Sequence, residues 1–157
     1  MSHHHGAGLG AREDLEARIE QYRELILRSL DGLTEEQARA EIVPGRPSLL
    51  GVVRHTAFVE GVWFAEAVDG TTRPALGLPV STANSWKTRK VDSIASVTAL
   101  CRRISDIART NLAGRDLDEI VHGRGERTVR SLYTHVLSEL AWNTGQLDIL
   151  RALVVAA

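Results

Sequence analysis

The 157-residue chain has a single cysteine, Cys101, which excludes an intramolecular disulfide and a Cys-based zinc knuckle. It sits within a helical pattern, where a structural thiol is expected rather than a nucleophile. No run nears the roughly 20 apolar residues that a transmembrane helix needs, and no secretory h-region is present. The expectation is a cytoplasmic protein without a membrane partner. A net charge of −1 gives no electrostatic reason to expect nucleic acid either. No Gly-rich phosphate loop follows a strand, no Gly-x-Ser-x-Gly elbow occurs, and neither strand alternation nor a heptad seam is visible.

What remains is helical. An apolar fraction of 43% suffices for the core of one domain, which the sequence places at residues 13–157, after a tail or tag remnant at 1–12. That start contains His3, His4 and His5, which would bind metal adventitiously. Leu15, Ile19, Tyr22, Ile26 and Leu30 recur at helical spacing over Glu13 to Leu30. Thr34-Glu35-Glu36-Gln37 has the form of a capping box before a short helix over about 35–40. After the break Pro44-Gly45-Arg46-Pro47, Ser48 caps a long helix to about Val68. Residues 70–90 read as one long loop, in which Trp86 either closes over a pocket or plugs the end of the bundle. Asp92 or Ser93 caps a third long helix to about Ala113. A polar segment, 115–127, contains a solvated His122 and leads into the last helix, Thr128 to Leu153. Four long helices, each with an apolar face, predict an all-α, up-down four-helix bundle with a long loop between the second and third.

The last helix carries the main anomaly. With Glu139 as zero and about 100° per residue, Leu132, Val136, Leu140, Leu147, Leu150 and Val154 fall between about 20° and 100°. Asn143 lies at about 40°, inside that stripe, with Glu139, His135 and Gln146 at its edge. A carboxylate and two amides facing a core require partners or a ligand. On the Ser48 helix, His55 is central on the apolar face among Val52, Phe58, Val59, Val62 and Trp63, and Glu66 falls on the same stripe three turns later. Glu139 and Asn143 are spaced i, i+4. A His from an opposing helix completes the kind of inward-facing set from which bundles build metal and cofactor sites.

Ser48-Leu49-Leu50-Gly51-Val52-Val53-Arg54-His55, continuing through Glu60 and Trp63-Phe64 to Asp69-Gly70, resembles the first motif of the DinB/YfiT-like superfamily. His135 to Arg151, with Gly145-Gln146-x-Asp148-Ile149-Leu150-Arg151, resembles the second. More closely, the chain resembles the actinobacterial branch related to mycothiol-dependent maleylpyruvate isomerase. The resemblance implies a four-helix bundle, commonly a homodimer, and a transferase or isomerase that uses a low-molecular-weight thiol such as mycothiol on a small-molecule substrate. It also implies a divalent metal, zinc or nickel, held by one His and an i, i+4 pair. His55 matches the first ligand and Glu139 the second. The third position is Asn143 where relatives carry His, and an amide oxygen is a weak donor for zinc. His135 matches a non-ligand histidine of the pattern. Weak or absent metal is therefore expected.

Two readings stand. In one, His55, Glu139 and Asn143 form the catalytic pocket of a thiol-linked enzyme, with Trp63, Glu66, Trp86, His135 and Gln146 around the substrate. In the other, His55 and Glu139 form a buried pair in a metal-free bundle, which acts as an acid–base catalyst or as a binding or structural protein.

Overall fold

A computed structural model describes residues 10–157. Residues 1–9, with His3 to His5, lie outside that range, and helix α1 (Ala11–Arg28) already begins within the stretch expected as a tail. The short helix α2 (Glu35–Arg39) follows, opened by the reciprocal Thr34–Gln37 capping box. Next come α3 (Leu49–Gly61), a widened π-turn (Val62–Glu66) and the terminal turn α4 (Ala67–Asp69). The expected long loop is partly structured, with a 3₁₀ turn at Pro74–Leu76 and the one-turn helix α5 (Thr82–Ser85). Helix α6 (Ile94–Leu112) is capped by Ser93, and α7 (Val129–Ala156) by Thr128. The fold is an all-α bundle of the four long helices α1, α3, α6 and α7.

Helix α3 is its centre. It packs against both α6 and α7, while α1 lies against α7. Every residue from Leu49 to Gly61 is buried, where the sequence showed one apolar stripe. A helix buried all round is normally apolar all round. Its polar members Arg54, His55, Thr56 and Glu60 must therefore be matched by other parts of the fold. The Thr56 hydroxyl donates to the Val53 carbonyl at 2.7 Å, and Arg23 from α1 clasps Glu60 through Nε and Nη2, with contacts of 2.5–3.2 Å. Cys101, from α6, is buried nearby. Desolvation, reinforced by Glu60, pushes its thiol up to about 12, so it stays protonated and structural.

On α7 the apolar stripe is as expected, with Leu132, Val136, Leu140, Asn143, Leu147, Leu150 and Val154 all buried. The polar segment before it is not plain coil. Strands β1 (Ile120–Val121) and β2 (Arg127–Thr128) pair antiparallel, with Ile120 opposite Thr128. Strands of two residues are too short to display alternation. The hairpin is tied to the end of α3's extension by the Gly123 N–H, which donates to the Ala67 carbonyl at 2.9 Å. A Cβ at Gly123 would overlap the backbone oxygen of Glu66, so only glycine permits this approach. Among the described residues, no helix is long and apolar enough to cross a membrane.

Candidate functional site

His55 sits on the buried second turn of α3, and the loop after the 3₁₀ turn is built around it. Its Nδ1 lies 2.7 Å from the Ser85 Oγ, and the Ser85 hydroxyl also lies 2.5 Å from the Thr82 carbonyl. A hydroxyl has one proton, and the carbonyl can only accept. Ser85 therefore donates to Thr82 and accepts from Nδ1–H. This fixes the tautomer and leaves the Nε2 lone pair free, with no partner among the described residues. Trp86 stacks on the imidazole, with ring centroids 3.4 Å apart. Burial pushes the His55 pKa down to about 4, so at neutral pH the ring is an uncharged acceptor.

The loop is locked in place from below. Arg54 Nη1 donates to the carbonyls of Asn84 (3.0 Å), Ser85 (3.4 Å) and Lys87 (2.8 Å), and its Nε lies 3.5 Å from buried Asp92. Gly51 stands one turn before His55, where a Cβ would overlap the Trp86 carbonyl oxygen. Gly51, Arg54 and His55 thus hold the segment 82–92 against α3.

His55 lines a cavity of about 330 Å³ together with Phe58, Val59, Val62, Trp63, Trp86 and, from α7, His135 and Glu139, with Arg73, Thr82 and Arg124 completing the wall. The Glu139 side chain is half-buried and makes no hydrogen bond or ion pair among the described residues, so His55 and Glu139 share a cavity without forming the buried pair entertained from sequence. His135 is exposed and tilts against Trp63 at 4.4 Å.

A profile of the mycothiol S-transferase family matches residues 14–156. The chain belongs to that family. No curated protein matches it. Of the residues expected at a mycothiol S-transferase site, the fold brings His55, Glu139, Trp63, Trp86 and His135 together and sets three apart. Asn143 is fully buried and lines neither this cavity nor the adjoining groove. Its Nδ2 donates to the Glu139 carbonyl at 2.9 Å, and its Oδ1 accepts from Gln146 at 3.2 Å. Gln146 faces a separate groove of about 770 Å³, which also contains Arg46, Lys87 and Trp142 and shares the Trp86 wall. Glu66 lies at the cavity rim, bonded to Arg73 at 2.7 Å and Arg124 at 3.4 Å. The π-turn explains its displacement: one extra residue per turn rotates the side chains beyond it by up to about 100° off the stripe of His55.

The donor set does not fit a catalytic metal. Among the described residues no three His, Cys, Asp or Glu side chains are grouped as ligands, and the Asn143 oxygen at the third position is already engaged by Gln146. Sequence reasoning missed Ser85, Arg54, Arg73 and Arg124. Each acts across 7 to 58 positions of chain, a separation that helical periodicity does not report.

Proposed function

We infer that this protein transfers a mycothiol-type thiol to a small electrophilic acceptor in the His55–Glu139 cavity, without a tightly held metal. The observation that carries the reading is one cavity, in a chain of the mycothiol S-transferase family, that pairs a neutral, tautomer-fixed imidazole with an unpartnered carboxylate. The thiol supplies the nucleophilic sulfur when bound. His55 Nε2 accepts a hydrogen bond from the thiol and holds its sulfur in line. Glu139 receives the thiol proton as the sulfur–carbon bond forms and the acceptor's leaving group departs with its electron pair. Trp86, Phe58 and Trp63 exclude water from the reacting centre. The cavity has room for one small molecule, and the groove beyond Trp86 has room for the body of the thiol.

The homodimer reading is supported by Trp142 (73% exposed), Ile149 (63%) and Leu153 (41%), which form an unpartnered apolar stripe on α7. Gly145 lies in the same stripe with open space around it, so a second copy of α7 can approach closely.

The test is thiol consumption with mycothiol and an aryl or alkyl halide. His55→Ala and Glu139→Gln should each lower kcat/KM by about 10²–10⁴ while leaving the helical circular dichroism unchanged. Full activity in both folded variants would overturn the reading.

A further inference from the structure

The His55 cavity has a charged end that the transfer chemistry leaves unused. Two segments far apart in sequence converge there. Arg73, from the loop after α4, places its Nε 2.7 Å from Glu66 Oε2, and Arg124, from the hairpin, reaches the same oxygen at 3.4 Å. The guanidinium of Arg73 also lies 5.4 Å from the Phe58 ring centre and donates to the Val80 carbonyl, so it is held in place. Arg124 and Arg127 lie 5.2 and 5.4 Å from the centre of Trp63. Beyond its long contact to Glu66, Arg124 makes no other hydrogen bond or ion pair among the described residues; Arg127 makes none with its side chain. The turn between them is pinned by Gly123, which no larger residue could replace without moving the hairpin.

Two guanidinium groups, Arg73 and Arg124, line this end of the cavity and share one carboxylate, Glu66, while Arg127 stands outside the lining, against Trp63. Arginine forks bind carboxylates bidentately, and they do so most strongly where water is scarce. The remaining walls, Phe58, Val59, Val62, Trp63 and Trp86, suit a flat hydrocarbon body. About 330 Å³ admits a ring or short conjugated chain with one head group.

We propose that the cavity takes its acceptor as a flat apolar monocarboxylate that bears a leaving group, such as a halogenated arenecarboxylate, with the carboxylate on Arg124 beside Arg73 and the apolar body against Trp63 and Trp86. The proposal rests on the transferase reading only in calling the ligand an acceptor; binding itself is independent of turnover. Glu66 is the internal competitor. It occupies part of the guanidinium capacity that the ligand carboxylate would use, and it holds Arg124 near the mouth in the ligand's absence.

Isothermal titration of the whole chain with benzoate, and with benzamide as the neutral isostere, tests this without any thiol. Benzoate should bind at least about tenfold more tightly than benzamide, and Arg124→Gln should remove that preference. Glu66→Gln should tighten benzoate severalfold, and the preference should shrink with added salt. Equal affinities, no binding of either probe, or a benzoate preference that survives in a folded Arg124→Gln variant would overturn the proposal. Carboxylate-dependent binding without thiol transfer would refute the transferase reading alone. Thiol transfer without carboxylate preference would refute this inference alone.

Discussion

His55 and Trp86 lie face to face, with their rings 3.4 Å apart and inclined by only 13°. The indole covers one side of the imidazole, while the Ser85 hydroxyl engages Nδ1 at 2.7 Å. Between them they remove the water that would stabilise an imidazolium, and Nε2 alone keeps access to the cavity.

That burial makes stability depend on pH. The His55 pKa falls from 6.5 in the unfolded chain to about 4 in the fold. The folded state thus resists a proton that the unfolded state accepts. Its stabilising contribution is complete above pH 6.5 and is lost as pH falls from 6.5 toward 4. At about 1.4 kcal/mol per unit the loss reaches at most about 3 kcal/mol. Denaturant titrations across that window should show the decline, and His55→Phe should flatten it. An unchanged slope in the variant would mean that another group is responsible.

The close approach of the Trp86 loop to α3 depends on Gly51. Gly51→Ala places a methyl group against the Trp86 carbonyl and should cost about 1–3 kcal/mol, a typical penalty for overpacking. The loop should also loosen, so that proteolysis within 82–92 accelerates more than global unfolding does. Equal stability and equal cleavage would show that the loop yields at no cost.

The third position of the ligand pattern has a direct test. A protein lacking residues 1–9, and with them His3 to His5, should purify with substoichiometric zinc or nickel. Asn143→His exchanges a self-bonded amide for an imidazole one turn from Glu139, and should raise metal affinity by at least about tenfold. A full equivalent of metal in the unsubstituted chain, measured by elemental analysis, would contradict the donor geometry.

The exposed stripe of α7 predicts a dimer. Sedimentation should report two copies, and Trp142→Glu with Ile149→Glu should leave a monomer of unchanged helicity. A monomeric parent chain would assign Trp142 to the groove beside Trp86 alone.

Much of the fold was legible because its determinants are local. Thr34, Ser48 and Ser93 cap helices as their positions suggest, since a cap needs only a side-chain oxygen and an N–H three residues on. The stripe containing Leu132, Val136, Leu140 and Asn143 follows from helical geometry. His55 and Glu139 were found because polar groups on apolar faces are conspicuous in any sequence. Glu66 was misplaced because nothing local announces a π-turn, and one extra residue is enough to swing a side chain to another wall. Asn143 was placed on the correct face, but its pairing with Gln146 and its exclusion from the cavity depend on rotamers that periodicity does not contain.

The sequence by itself determined four amphipathic helices, their caps and two of the groups that face the cavity, because these depend on a few neighbouring residues. Only the tertiary structure decided that α3 is buried all round, that Ser85 and Trp86 enclose His55, and that Arg73 and Arg124 meet at Glu66. Those contacts join segments 7 to 58 residues apart, and they form because a buried polar group must find its partner wherever the folded chain brings one.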